Sequence, residues 1–256
     1  MSEKTLNFLE PYKPCGRCDS HGFIVNGATA TKCSCWTVYK NRLSLINKML
    51  GANLIVEESS KEEVDRLLSY TLDDYKGEDT PKNLPKIKKF LSKFDEKFNS
   101  INLFFTGTNG TQKTTVVKYM VLELLRTNHS AYYTLTKDFI DLVMLSERDE
   151  EKAKKLDEIL KVDFLVLEEF SPDKLALYSS GYKQSIVTSP IKKRFENIRK
   201  STVVISNFSI TELRESALGN TIVDLIDRET RNGCQFTFTD RYGDYAKIDL
   251  SSIWDD

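Results

Sequence analysis

The segment that most constrains the fold of this chain is a short polar loop, GTNGTQKTT, at residues 107–115. An apolar run, INLFF at 101–105, comes before it, and a helical run, VVKYMVLELL at 116–125, follows it. A strand, a loop of the pattern G-x-x-x-x-G-K-[ST] and a helix together bind phosphates, because backbone N–H groups and the helix N-terminus surround the anion. We therefore expect nucleotide contacts from Gly107, Thr108, Asn109, Gly110, Thr111, Gln112, Lys113, Thr114 and Thr115.

Within this loop, Lys113 has the position that reaches the β- and γ-phosphates, and Thr114 has the position that binds Mg²⁺. Gln112 departs from the pattern, which has a glycine there. A side chain at that position crowds the loop or requires a strained backbone. The glutamine therefore argues against rapid ATP hydrolysis more strongly than it argues against the P-loop fold. The alternative interpretation is a chance turn before a helix, which the preceding strand and the Lys113–Thr114 pair disfavour.

Two later apolar runs end in polar residues that complete an NTPase site. DFLVLEE at 163–169 ends in two acids, of which the first would hold Mg²⁺ through water and the second would polarise the attacking water. TVVISN at 202–207 ends in an amide that would orient this water. The first acid, Glu168, is one methylene longer than the usual aspartate. The alternative for the two acids is a solvated acidic turn, and the alternative for Asn207 is an ordinary turn cap. The predicted catalytic residues are Glu168, Glu169 and Asn207, and the predicted Mg²⁺ ligands are Thr114 and Glu168.

The order of apolar runs predicts an α/β fold with a mainly parallel sheet, because strands that alternate with helices are joined by crossovers that cover both faces. Hydrophobic residues make up 40% of the 256 residues, which is enough for a sizeable core. The formal net charge of −1 excludes a generally basic nucleic-acid coat, so DNA would have to bind at a local patch. The expected strands are INLFF (101–105), SAYYTL (130–135), DFLVL (163–167), TVVIS (202–206) and CQFTF (234–238).

The sequence shows no recognisable signal for membrane insertion or for export. No apolar run approaches the roughly 18–20 residues that a membrane span needs. The first residues, MSEKTLNFLEPYKP, lack the apolar stretch of a signal peptide. We therefore expect a cytoplasmic protein without membrane contacts.

The polar stretch KGEDTPKN at 76–83 is predicted to be a boundary or linker. Before it, we expect a helix at 36–50 and a second helix opened by a capping box of Ser60 and Glu63. After it, an amphipathic helix is expected at 84–98, whose lysines favour a solvated face over a DNA contact. The predicted domains are a small module at 1–50, a connecting helix and linker at 51–83, and the main domain at 84–256.

Four of the five cysteines are Cys15, Cys18, Cys33 and Cys35. Two residues separate the first pair, 14 separate the pairs, and one separates the second pair, a spacing that suits one Zn²⁺ held by four thiolates. A metal would also stabilise a segment that has too little core to fold alone. The alternatives are His21 in place of one cysteine, and four free or redox-active thiols.

The three strand motifs, in this order, resemble those of AAA+ ATPases and, more narrowly, those of the DnaC/DnaI family of replicative helicase loaders. Transposition helper ATPases are related to these loaders. The cysteine-rich N-terminal segment is similar to that of the DnaI branch. The resemblance covers about residues 70–245, in the segments TLDDYKG (71–77), NLFFTGTNGTQKT (102–114), VDFLVLEEF (162–170), IKKRFENIRKSTVVISNFS (191–209) and LGNTIVDLIDRETRNG (218–233).

The resemblance implies an AAA+ domain without a full C-terminal lid. It also implies an arginine finger, which stabilises charge on the γ-phosphate bound by a neighbouring subunit. Arg228, in the sequence LIDR, matches this finger best, and Arg194 and Arg231 are its rivals. The alternative for Arg228 is a helix-surface residue paired with Asp224 or Asp227.

The function implied by the resemblance is ATP-dependent loading of the replicative hexameric DNA helicase onto single-stranded DNA, with self-association on the helicase. The cofactors would be ATP, Mg²⁺ and Zn²⁺. The zinc module would dock on the helicase. Trp36 would either help this contact or pack in the core of the module. Pore loops near Lys137 or Lys183 would contact DNA. Two alternatives stay open: a transposition helper ATPase, which the cysteine module disfavours, and an adaptor with little or no hydrolysis, which Gln112 and Glu168 favour.

Overall fold

The computed structural model describes residues 8, 11–27, 29–77, 79–173, 181–216, 220–231 and 233–239, without the side chains of 181–184 and 220. It divides the chain into two units, Met1–Ser69 and Tyr70–Asp256. The three-part division at residues 50 and 83 stays a prediction. The Lys183 side chain, residues 217–219 and the residues after 239 lie outside the described part of the chain.

The first unit contains a hairpin and two helices. Strands β1 (Phe23–Asn26) and β2 (Thr29–Lys32) pair antiparallel, in a segment where the sequence analysis expects no strand. Helix α1 (Ser34–Gly51) confirms the helix predicted at 36–50. Helix α2 (Lys61–Ser69) follows Ser60, whose Oγ accepts a hydrogen bond from the Glu63 backbone N–H at 3.1 Å, as a capping residue does.

The second unit is built on five parallel strands: β3 (Leu103–Gly107), β4 (Ala131–Leu135), β5 (Phe164–Glu168), β6 (Ser201–Ser206) and β7 (Gln235–Phe238). Their order in the sheet is β4-β5-β6-β3-β7. All five apolar runs therefore form strands, and the predicted parallel α/β sheet is confirmed. Because β6 lies between β3 and β5, the strand that leads to Asn207 separates the strand that leads to the phosphate loop from the strand that leads to the acids.

Helices cover both faces of this sheet. The α-helices described in this unit include α3 (Thr80–Ser92), α4 (Lys113–Arg126), α5 (Thr136–Ser146), α6 (Glu150–Lys161), α7 (Gly181–Lys192), α8 (Ile210–Glu215) and α9 (Asn220–Thr230). Phe104, Leu165 and Val204 belong to one buried cluster with residues of α5 to α9. Phe164 precedes Leu165 and so points to the opposite face, where its ring contacts Phe90 of α3 (ring centroids 6.0 Å apart). Every helix among the described residues is too short or too polar to span a membrane.

Helix α3 begins at Thr80, four residues before the start that the sequence analysis predicts. Pro81 lies in its first turn, where the missing N–H of a proline leaves no hydrogen bond unmade. Asn83 is buried, and its side-chain amide donates to the Thr237 carbonyl oxygen at 3.0 Å. Residues 80–83 of the predicted linker are therefore helical and packed in the second unit.

Candidate functional site

The phosphate loop joins the end of β3 to the start of α4, as the sequence predicts. Gly107 has a φ of +143°, and a Cβ atom there would lie 2.0 Å from the Phe238 carbonyl oxygen. Gly110 has a φ of +80°. L-residues with a side chain rarely adopt these angles, so the backbone requires both glycines.

Gln112 immediately precedes α4 and has a φ of +65° and a ψ of 9°, in the left-handed region. A residue with a Cβ atom costs about 1–2 kcal/mol in this conformation, which explains the glycine of the usual pattern. The strained backbone expected for Gln112 is therefore present. Its side-chain amide Nε2 donates to the carbonyl oxygen of Lys76 at 2.9 Å.

Lys113 is only 6% exposed, and its ammonium group lies within the loop. Its Nζ donates to the carbonyl oxygens of Gly107 (2.6 Å) and Thr108 (2.7 Å), and it lies 3.3 Å from Thr111 Oγ1. Burial lowers the pKa of Lys113, and the charge of Glu168 opposes this shift. A phosphate in the loop would offer this ammonium group an anionic acceptor in place of neutral carbonyls.

Thr114 and Glu168 are in direct contact, although 54 residues separate them in the sequence. Thr114 Oγ1 in the first turn of α4 donates a hydrogen bond to Glu168 Oε1 at the end of β5. Burial raises the pKa of Glu168, while the bond from Thr114 and the charge of Lys118 act to lower it. A hydroxyl and a carboxylate side by side offer the oxygen ligands that Mg²⁺ prefers, so this pair fits the ion predicted for it.

Glu169 and Asn207 lie at the same edge of the sheet. Glu169 follows β5 directly, is exposed and has a φ of +56°. Asn207 follows β6 and is also exposed. Since β6 lies between β3 and β5, the backbone at Asn207 emerges between the phosphate loop and the acids. Both residues thus occupy the expected edge, and their roles toward the attacking water stay predictions.

Two hydroxyl groups that the sequence analysis missed fix the segments after these strands. Thr106 Oγ1 donates to the Phe208 carbonyl oxygen at 2.9 Å, and Ser206 Oγ donates to the Phe170 carbonyl oxygen at 2.6 Å. Thr106 and Ser206 are register partners in β3 and β6. Thr106 ends the apolar run INLFFT and Ser206 ends the apolar run TVVIS, and a hydroxyl at the end of each run is the sequence signal that could have revealed these contacts.

Arg228 is exposed on α9, and its Nη2 pairs with Glu196 Oε1 at 2.6 Å. It is therefore a surface residue with a carboxylate partner, although the partner is not one of the two aspartates that the sequence analysis considered. Those aspartates pair with other arginines: Asp224 with Arg214, and Asp227 with Arg214 and Arg231. A role of Arg228 at a neighbouring subunit stays a prediction.

Arg194 is 1% exposed, which rules it out as the arginine finger. Burial lowers the pKa of its guanidinium to about 9. An arginine whose donors are engaged inside its own subunit cannot reach a neighbour's nucleotide, so this rival is wrong. Instead it holds the end of α6 to the start of β6, through hydrogen bonds to the carbonyl oxygens of Leu160 (2.8 Å), Val162 (2.9 Å) and Ser201 (2.5 Å) and to Thr202 Oγ1 (2.8 Å).

In the first unit, the four predicted cysteines form one cluster, with their sulfur atoms within 4.8 Å of one another. Four sulfur–sulfur distances are 3.3, 3.5, 3.6 and 3.8 Å. Metal–sulfur bonds of about 2.3 Å in a tetrahedron place sulfur atoms about 3.8 Å apart, so the cluster fits one metal ion. His21, the alternative ligand, has its Nδ1 3.2 Å from Ser20 Oγ.

The fold brings these cysteines together from a loop and a helix N-terminus. Cys15 and Cys18 flank Gly16, which has a φ of +82°. Cys33 precedes α1, and Cys35 lies in its first turn, where the helix dipole favours negative charge. The backbone N–H of Arg17 lowers the pKa of Cys15 to about 6, which favours the thiolate form that binds metals. At Cys33 the backbone N–H of Cys35 acts in the same direction, but the Cys35 thiol and burial outweigh it and raise the pKa to about 11.

A cluster of aromatic side chains borders the sulfur atoms. The Tyr12 hydroxyl lies 3.0 Å from Cys18 Sγ and 3.1 Å from Cys35 Sγ. The Tyr12 and Trp36 rings meet edge to face, with centroids 4.7 Å apart. A Cβ atom on Gly22 would lie 2.5 Å from the Trp36 side chain, so this glycine allows the indole to pack. Trp36 is therefore half-buried and packs within the module. A contact of Trp36 with a partner protein stays a prediction.

Comparison with known proteins decides the family. A family model described as IstB-like ATP binding protein matches residues 67–232. The chain belongs to this family. The matched residues include the phosphate loop, the acidic strand, Asn207 and Arg228. No curated protein matches the chain.

Solved structures have the same fold as this IstB-like chain. DnaI matches with a TM-score of 0.52 and 18% identity, over 68% of this chain and 89% of that one. The DnaC helicase loader matches with a TM-score of 0.50 and 21% identity, over 68% of this chain and 98% of that one. The replication initiator DnaA bound to AMPPCP and single-stranded DNA matches with a TM-score of 0.52 and 17% identity, over 66% of this chain and 49% of that one. The chain thus spans about half of that initiator, and these likenesses show that the chain shares the α/β fold of these proteins.

Proposed function

We propose that the chain binds ATP with Mg²⁺ at residues 107–115 and acts as an ATP-dependent loader of the replicative hexameric helicase. The contact between Thr114 and Glu168 carries the nucleotide part of this proposal. It places a hydroxyl and a carboxylate from two different elements beside a loop whose N–H groups and lysine suit phosphates. A chance turn before a helix would have no reason to meet an acidic strand at this point.

Each residue of the proposed site would have its own role in ATP binding or hydrolysis. Lys113 holds the phosphates, and Thr114 and Glu168 hold the ion, which supplies positive charge against the phosphate oxygens. Glu169 polarises the attacking water and Asn207 orients it. Arg228 acts on the nucleotide of a neighbouring subunit, so turnover requires self-association. The strained Gln112 and the long side chain at Glu168 make slow hydrolysis the expectation.

Loading of a helicase is supported by the fold and by the first unit. The solved relatives include DnaI and a DnaC helicase loader, and a DnaA structure contains single-stranded DNA. The first unit carries four clustered thiols, which we propose hold one Zn²⁺, on a module that docks on the helicase. With a net charge of −1, the chain would contact single-stranded DNA through a local basic patch, near Lys137 or Lys183.

Calorimetry of the full chain with ATP and Mg²⁺ tests the nucleotide site. We expect binding in the wild type, and we expect Lys113→Ala to lose it because the buried ammonium group is the main cation of the loop. Lys154→Ala, which removes an exposed lysine of α6, is the matched control and should bind as the wild type does. A wild type without affinity in the low-millimolar range would leave only the adaptor interpretation.

A transposition helper ATPase is the second candidate, because the matching family model is IstB-like. Such a protein shares the ATPase residues and acts on a transposase and duplex DNA. Affinity capture with the full chain, in the presence of ATP, separates the two candidates. Recovery of the replicative helicase supports the loader, and recovery of a transposase without the helicase supports the helper.

A further inference from the structure

The residue that departs from the phosphate-loop pattern also makes a contact outside the loop. Gln112 Nε2 donates to the Lys76 carbonyl oxygen, 36 residues earlier in the chain, at 2.9 Å. Glycine at this position would adopt the left-handed backbone without strain, but it has no side chain to make the contact. The strain and the contact are therefore two consequences of one side chain.

Lys76 belongs to a short segment, Tyr75–Gly77, which we name the wall segment because it lines an open cavity of about 400 Å³. The first turns of α3 line the cavity as well, with Thr80, Pro81 and Leu84. Gln112 directly precedes α4, so the cavity lies beside the phosphate loop.

The wall segment is also anchored through Tyr75, which is 1% exposed. The Tyr75 hydroxyl donates to Asp79 and accepts from the Asn83 amide at 3.3 Å. Its ring contacts Phe238, with centroids 5.6 Å apart, and the Phe238 carbonyl oxygen lies against Gly107 of the phosphate loop. Tyr75 thus fixes one end of the wall segment to the sheet, and Gln112 holds the next residue to the loop.

We propose that Gln112 is a positioning residue that fixes the wall segment, and with it the shape of the cavity, against the phosphate loop. This inference rests on the proposed nucleotide site. A nucleotide held by its phosphates then meets a preformed surface for its nucleoside part, and preorganisation of this kind raises affinity. The net value of one such hydrogen bond corresponds to about a two- to tenfold change in an equilibrium constant.

Two substitutions separate the hydrogen bond from the backbone strain. Gln112→Met has nearly the same length and the same left-handed strain, but it lacks the N–H donor. Gln112→Gly lacks the donor and also relieves the strain. An effect of the lost contact appears in both variants, whereas an effect of strain appears only in the glycine variant.

Hydrogen exchange of the nucleotide-free full chain tests the contact without any ligand. We expect the amides of residues 75–80 to exchange about two- to tenfold faster in both variants than in the wild type, because the wall segment loses one anchor. The amides of α6 serve as the internal reference and should not change. Wild-type exchange at 75–80 in Gln112→Met would overturn the proposal.

Calorimetry with ADP and with pyrophosphate, each with Mg²⁺, tests the consequence for binding. We expect Gln112→Met to bind ADP about two- to tenfold more weakly and pyrophosphate as the wild type does, since only ADP has a nucleoside to meet the cavity. Equal losses for both ligands would overturn the proposal, because Gln112 would then act on the loop itself. If the wild type binds neither ligand, the nucleotide site fails, and the exchange result alone supports or overturns the role of Gln112.

Discussion

Replacement of the buried Arg194 by methionine tests whether this residue is a structural support rather than an arginine finger. Its guanidinium donates to four acceptors at the junction of α6 and β6. A buried acceptor left without a donor costs about 1–3 kcal/mol. Methionine fills much of the volume, and water or small shifts satisfy some of the acceptors. We therefore expect the free energy of unfolding to fall by about 3–5 kcal/mol.

Urea unfolding of the nucleotide-free full chain, followed by far-ultraviolet circular dichroism, measures this loss. Arg228→Met is the matched control, because it removes an exposed guanidinium from the same unit and should leave the unfolding curve unchanged. Arg194→Lys keeps the charge but not the planar fork of donors, so we expect it to restore only part of the stability. A loss below about 1 kcal/mol in Arg194→Met would refute the structural role.

Three further predictions concern other sites of the chain. Burial acts to raise the pKa of Asp163, but Lys200 and Ser130 outweigh it and hold this pKa at about 2, below the ordinary 3.8. Because the folded pKa is the lower one, the stabilisation is present above about pH 4 and lost toward pH 2. Asp163→Asn should therefore lose less stability than the wild type in acid titrations over this window, and equal losses would contradict the shift. Tyr12→Phe removes the hydroxyl beside two sulfur atoms and should weaken metal binding about tenfold in a chelator competition, whereas Tyr39→Phe should not; equal affinities would show that the hydroxyl does not act on the thiolates. Arg228→Ala should keep the nucleotide affinity of the isolated chain and lose ATP-stimulated assembly or hydrolysis. Mixing it with Lys113→Ala should restore part of the activity, and mixed oligomers as inactive as their parents would argue against action across subunits.

The central sheet and the phosphate loop were predictable because their signals are local. Each strand is a short apolar run, and the loop has a fixed spacing of glycine, lysine and threonine. The contact between Thr114 and Glu168 could also be anticipated, since parallel strands deliver their carboxyl ends to one edge. The cysteine cluster was predictable from its spacing, because two close pairs separated by 14 residues suit one zinc ion held by four thiolates.

The features that the sequence did not reveal depend on contacts between distant residues. The hairpin β1–β2 was missed because TATK in β2 is exposed throughout and shows no apolar alternation. An arginine in a lysine-rich segment gives no sign that it is buried, so Arg194 was taken for a rival finger. The contact from Gln112 to Lys76 spans 36 residues, and the sequence shows the departure from glycine but not what the new side chain touches.

The most direct test of the proposed loading function uses closed circular single-stranded DNA. A helicase ring cannot thread onto a circle without opening, so helicase bound to the circle reports loading. With the replicative helicase of the source cell, we expect the wild-type chain and ATP to transfer the helicase to the circle, and we expect Lys154→Ala but not Lys113→Ala to do the same. Transfer that is independent of the chain, or that proceeds equally with Lys113→Ala, would contradict ATP-dependent loading.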